Sequence, residues 1–132
     1  MVELLSPAGV VTPRGPYSPA VRCGEFLFVS GQGPIDPETD RIVPGGVAEQ
    51  TRQVLENIRR ILEGCGARVT DVVKCSVFIT DASDFAEMNR VYAEFFGEHK
   101  PARTTAVTQL VLPGMKVEID CVADVPRREG LD

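Results

Sequence analysis

Between Gly46 and Gly66 the apolar residues return every three or four positions, and no other stretch restricts the fold so tightly. Val47, Thr51, Val54, Leu55, Ile58, Ile61, Leu62 and Cys65 fall on one stripe of an α-helix. Glu49, Arg52, Gln53, Glu56, Arg59, Arg60 and Glu63 take the other side, a solvated face of mixed sign on which Glu56 and Arg60 are spaced to pair. Gly64 and Gly66 stop the helix. A helix with a single apolar stripe must bury it against another layer, so the rest of the chain has to supply a sheet or a second helix.

It supplies both. Residues 26–30 (FLFVS) read as a strand bounded by Gly24 and Gly31, followed by a Pro/Gly-rich loop over 33–46 with a turn at Asp36-Pro37-Glu38-Thr39-Asp40. Residues 72–79 (VVKCSVFI), apolar and β-branched, predict a central strand. A second helix follows from a cap at Asp81 or Ser83, with Phe85, Met88, Tyr92, Phe95 and Phe96 on one side and Gly97 at its end. Strands over 103–112 and 116–123 close the chain, and Pro113-Gly114 between them predicts a hairpin. The order predicts one α+β domain over residues 1–132, a mixed sheet with both helices on one face. The opposite face is left uncovered, which calls for a partner subunit.

The bulk properties narrow the function. Of 132 residues, 43% are apolar and 25% charged, the balance of a globular chain that needs no staples. A net charge of −5 repels phosphate backbones and anionic lipid, so general nucleic-acid or membrane binding is not expected, while one basic pocket for one anion is still possible. Cys23, Cys65, Cys75 and Cys121 are spread out, and His99 is the single histidine. That pattern predicts four buried thiols in a reducing cytosol, with no metal site. The first residues show no basic region and long apolar run of a signal peptide, and no stretch is long enough to span a membrane.

Five positions stand out as candidates for chemistry. Arg103 follows Pro101-Ala102 at the start of a strand, and from spacing alone a surface ion pair is its more ordinary role. The alternative is a two-pronged clamp on a substrate carboxylate. Glu118 alternates with Val117, Ile119 and Cys121, so it points away from their face, towards solvent or a site. Asn89 lies on the apolar side of the second helix, either as a structural tie or as a site wall. Ser30 ends an apolar strand just before Gly31-Gln32-Gly33, where backbone amides can meet an anion. Tyr17 sits in the turn-rich run Gly15-Pro16-Tyr17-Ser18-Pro19.

Together these runs resemble the Rid family of reactive-intermediate deaminases, also called the YjgF family. The resemblance rests on Gly15-Pro16-Tyr17-Ser18-Pro19-Ala20-Val21, Val29-Ser30-Gly31-Gln32, Gln50 through Asn57 to Gly66, Val77-Phe78-Ile79-Thr80-Asp81, Pro101-Ala102-Arg103-Thr104-Thr105 and Val117-Glu118-Ile119-Asp120, in that order along nearly the whole chain. It implies a chorismate-mutase-like fold, a homotrimer with interfacial sites, and hydrolysis of 2-imino acids to 2-keto acids and ammonia without a cofactor. It implies that Arg103 holds the carboxylate and that Tyr17, Ser30, Asn89, Thr105 and Glu118 occupy other site positions. Thr105 stands where the best-known deaminases often carry Cys, Lys100 where an aromatic residue often precedes Pro-Ala-Arg, and Asp40 at a common turn Gly.

The residues suggest a mechanism that fits. Arg103 would hold the carboxylate with backbone amides near Thr105 and Gly31, Glu118 would activate water, and Tyr17 and Ser30 would bound the pocket. A regular hairpin would put Glu118 beside Gln109, roughly 20 Å from Arg103 along the strand. The two groups would then have to meet across a subunit boundary. RNA cleavage, or ligand sensing or chaperone action without catalysis, are the rival readings of the same chain.

Overall fold

The computed structural model describes residues 2–126. Strands β1 (Val2–Leu5), β2 (Ala20–Cys23) and β3 (Phe26–Gln32) form an antiparallel meander. A small hairpin of β4 (Ile35–Asp36) and β5 (Arg41–Ile42) precedes helix α1 (Val47–Gly64). Then come β6 (Val72–Ile79), helix α2 (Phe85–Phe96), β7 (Ala102–Val107) and β8 (Val117–Asp124). The main sheet has six strands in the order β1-β2-β3-β8-β6-β7, and β6 with β7 is its one parallel pair.

Local chemistry sets the element ends. Glu49 accepts from the backbone N–H of Gly46 at 3.0 Å, which opens α1. At its far end the N–H of Ala67 reaches back to the carbonyl of Leu62 at 2.8 Å, a return that Gly66 allows at φ 81. Asp81 accepts from the N–H of Ser83 at 2.8 Å and caps a 3₁₀ turn leading into α2, which Gly97 ends at φ 63. Asp40 holds φ 61 in its turn, a left-handed geometry that Asp tolerates better than most residues.

Both helices lie on one face of the sheet. Val54, Leu55, Ile58 and Ile61 of α1 and Met88 and Tyr92 of α2 join Leu27, Val77, Ile119 and Cys121 in a single core. Each such aliphatic side chain contributes about 1.5–3 kcal/mol by burial. The other face is uncovered in one chain, with Phe26 and Phe28 each 47% exposed among polar neighbours such as Glu118 and Asp120.

Two expectations are corrected. The final strands do not form a hairpin: β7 ends at Val107, and β6 lies between it and β8. Residues 108–116 make too long a connection for a tight turn. In addition β6, an apolar β-branched strand, would leave a row of backbone N–H and C=O groups unpaired if it stood at an edge, so it needs strand neighbours on both sides. The crossover through α2 meets that need by laying β7 parallel to β6. The four thiols are also not equivalent: Cys75 and Cys121 are buried opposite each other on β6 and β8, Cys65 is half-buried, and Cys23 is exposed.

Candidate functional site

A cleft of about 470 Å³ opens at the end of β3 and the start of β8. Its shape begins with a bulge. Val29 pairs with Cys121 and Gln32 with Ile119, so Ser30 and Gly31 together oppose the single residue Asp120. The bulge re-aims the strand beneath Glu118, whose carboxylate lies over Gly31. A Cβ at Gly31 would come within 2.6 Å of Glu118 Oε2, so the close approach depends on glycine. Glu118 is half-buried, and its pKa is raised, first by burial and then by the charge of Asp120 two residues along the same face.

The segment before β2 forms the cleft's opposite wall. The Ser30 hydroxyl donates to the carbonyl of Ser18 at 2.6 Å, and its backbone N–H reaches Pro19 at 3.0 Å. These bonds hold Tyr17 at the rim, where its hydroxyl accepts from the N–H of Arg14 at 3.2 Å. Arg14 lines the cleft too, but its charge is spent on Asp40, with Oδ1 at 3.2 Å and the carbonyl at 2.8 Å. The cleft thus holds a raised carboxylate and no uncommitted cation among the described residues.

Arg103 lies elsewhere. It is in register with Cys75, which is in register with Cys121, so its side chain is on the helix face of the sheet. Its guanidinium carbon sits 4.8 Å from the centroid of the Tyr92 ring and 5.8 Å from that of Phe85. Among the described residues it forms no ion pair, although the chain carries 19 acidic residues. Thr105, two residues on, shares this face and is half-buried. Asn89 shares a helix face with Phe85 and Tyr92, and its buried Oδ1 has no hydrogen-bond partner.

The sequence-predicted residues therefore fall into two groups. Tyr17, Ser30, Gly31 and Glu118 meet in the cleft, whereas Arg103, Thr105 and Asn89 gather between β7 and α2. Two strand spacings and three residues of register put the Cα atoms of Arg103 and Glu118 about 14 Å apart. More decisively, the two side chains emerge from opposite faces. The hairpin argument for their separation fails, and this sheet geometry takes its place.

Sequence reasoning missed the supports behind the cleft. Gln50 and Asn57, both buried, lie two turns apart on the apolar face of α1. Gln50 donates to the carbonyl of Gly114 at 2.9 Å and accepts from the N–H of Lys116 at 2.7 Å. Asn57 donates to the carbonyls of Gly33 at 3.2 Å and Ile35 at 2.7 Å, while its own oxygen accepts from Gln53. The two side chains fix both loops that carry Met115 and Ile35 into the cleft. Their signal was present, as polar residues placed on an otherwise apolar stripe.

His99 is taken up structurally, with Nε2 2.6 Å from the carbonyl of Val72. Among the described residues, no group of three or more His, Cys, Asp or Glu is placed to hold a metal ion, and no helix is long and apolar enough to cross a membrane.

Comparison with known proteins agrees with this architecture. The family model described as Endoribonuclease L-PSP matches residues 9–125. A RutC family protein of Pyrococcus horikoshii is 48% identical over 123 residues, 93% of this chain and 98% of that protein. The 2-iminobutanoate/2-iminopropanoate deaminase of Bos taurus is 39% identical over 121 residues, 92% of this chain and 88% of the relative. The crystal structure of Escherichia coli TdcF with bound serine superposes with a TM-score of 0.86 at 37% identity, covering 92% of this chain and 98% of that one. With its mixed six-stranded sheet and two helices, the chain belongs to the Rid family, which takes in the YjgF, RutC and L-PSP proteins.

Proposed function

We propose that this protein hydrolyses 2-imino acids, such as 2-iminobutanoate and 2-iminopropanoate with their enamine tautomers, to 2-keto acids and ammonia. The observation that carries the reading is Arg103: a half-buried guanidinium stacked on two rings, with no carboxylate partner among the described residues. A half-buried cation kept unpaired in an acidic protein is suited to an anion from outside, and its planar fork matches a carboxylate. The named activity of the bovine relative supports the same class of substrate.

The working site is completed between subunits of a homotrimer, the cleft of one facing the Arg103, Thr105 and Asn89 of the next. Arg103 holds the carboxylate, Asn89 and Thr105 stand beside it as part of the wall, and a backbone carbonyl accepts from the iminium N–H. Glu118 takes a proton from water as the water oxygen bonds to the imine carbon and the C=N electron pair moves to nitrogen. Glu118 then returns that proton to the nitrogen, which leaves as ammonia as the new hydroxyl gives up its proton and the carbonyl forms. Its raised pKa makes Glu118 a stronger base than an ordinary carboxylate. Tyr17 closes the rim, and Ser30 keeps its lone pairs free to accept. A protonated imine is already electrophilic, so this route needs no cofactor. Four free thiols suit a reducing cytosol.

The test is to generate the imine in situ with an amino-acid oxidase and time the release of the keto acid. The protein should speed release well above spontaneous hydrolysis, and sedimentation should report a trimer. Release at the spontaneous rate would dismiss the reading. RNA cleavage, suggested by the description of the matching family model, finds little support in a chain of net charge −5.

A further inference from the structure

A two-pronged clamp works only if its fork already lies in the right plane, and Arg103 has no ion pair among the described residues to set that plane. It opens β7, the last strand of the sheet, so no further strand braces it from outside. We propose that Tyr92 is a positioning residue, whose ring fixes the plane of the Arg103 guanidinium before a substrate carboxylate arrives. The inference rests on the reading of Arg103 as the carboxylate clamp of an imine hydrolase.

The geometry gives Tyr92 this role rather than Phe85. The Tyr92 ring centroid is 4.8 Å from the guanidinium carbon, and the residue is only 9% exposed. Phe85 stands 5.8 Å away and is 44% exposed, so it is the looser of the two plates. Tyr92 is also held at both ends. One turn along α2 the Phe96 ring packs against it at 4.7 Å between centroids. Its hydroxyl is buried against the Cys75 thiol, a poor hydrogen-bond partner. Cys75 is in turn the cross-strand neighbour of Arg103, so ring, thiol and guanidinium meet at one register position of β6 and β7. Burial, then the contact with Cys75, push the phenol pKa above its ordinary value, and the ring stays neutral. It therefore acts on the cation through its face, by the attraction of the ring quadrupole. A long side chain ordered in advance loses less freedom when the carboxylate binds, and that saving appears as affinity.

The test compares a ring with no ring. Tyr92→Phe, the conservative variant, keeps the plate and should hold kcat/KM and calorimetric affinity for 2-ketobutyrate within about twofold of the parent. Tyr92→Leu removes the plate and should weaken 2-ketobutyrate about tenfold, with KM rising more than kcat falls. Tyr92→Met carries the same expectation if the Leu variant folds poorly. Damage to packing alone would also follow from losing the ring, so the decisive arm uses the Arg103→Ala background. There Tyr92→Leu should lower kcat/KM by less than about twofold, because no fork is left to aim. Equal losses in both backgrounds would overturn the positioning role, as would parent-like affinity in Tyr92→Leu. Calorimetry and turnover separate the two readings. Unchanged 2-ketobutyrate binding in Tyr92→Leu, beside imine turnover by the parent, sinks the role of Tyr92 alone. Weakened binding in Tyr92→Leu, beside a parent that turns over no imine, sinks the hydrolase alone.

Discussion

The cleft beside β3 and the edge formed by α2 and β7 are complementary in what each lacks. The cleft has volume, an apolar wall and a carboxylate whose pKa is raised, but its cation Arg14 is already paired with Asp40. The α2–β7 edge has an unpaired guanidinium on an aromatic platform and an unsatisfied amide oxygen at Asn89. A chain that needed only stability would pair such groups with neighbours, because an orphaned buried polar atom costs roughly 1–3 kcal/mol. That both regions stay incomplete, on opposite faces of one sheet, is the physical reason for proposing one composite site between subunits.

Replacing the carboxylate tests the cleft half most severely. Glu118→Gln keeps shape and hydrogen bonding but removes the base, and single-turnover imine decay should slow by roughly a hundred- to ten-thousandfold. Keto-acid affinity should change far less. The variant should also be no less stable at neutral pH. A carboxyl whose folded pKa is raised adds stability only below its unfolded pKa, and that contribution is lost as pH rises through the folded value. Unchanged decay would reduce Glu118 to a strand residue.

The other half is tested by Arg103→Lys. Lys keeps the charge but loses the fork and the ring stacking, so kcat/KM should fall by about a hundredfold, nearly as far as in Arg103→Ala. Both variants should keep the circular dichroism of the parent, since among the described residues no ion pair depends on this side chain, which only stacks on Tyr92 and Phe85. Normal turnover by the Lys variant would remove the clamp from the mechanism.

The comparison itself can be broken by mixing the two. Co-assembled subunits of Arg103→Ala and Glu118→Gln should regain activity towards about a quarter of the parent, because random mixing leaves that share of interfaces with both groups intact. A mixture as inactive as its components would show that the halves do not work across a boundary. The smallest effect concerns tuning. Asp120→Asn removes the neighbouring charge that raises Glu118, so the acid limb of the kcat/KM profile should move to lower pH, a gain of a few-fold on the acid side. A limb that stays put would leave burial as the sole cause of the shift.

Much of this was legible residue by residue. The stripe from Val47 to Cys65, the cap at Asp81, the stop at Gly97 and the left-handed turn at Asp40 depend on neighbours a few positions away. The alternation around Glu118 assigned it to the uncovered face, since a strand's period is local too. Gln50 and Asn57 went unrecognised as supports because their partners lie 64 and 22 residues along the chain. Met115 looked like one more apolar residue near a turn, and its position against Gly33 exists only once the two loops are brought together.

By itself, then, the sequence determined which faces are apolar, where the helices begin and end, and which side chains were candidates for chemistry. The tertiary structure alone decided which strands are neighbours. Pro113-Gly114 read as a hairpin, yet β6 separates the strands on either side of it. Pairing follows from burying β6 between two partners and from the crossover through α2, a balance over the whole sheet that no local pattern encodes. That same placement put Arg103 over Tyr92 and Glu118 over Gly31 on opposite faces, because strand order and pleat together set what a side chain can reach.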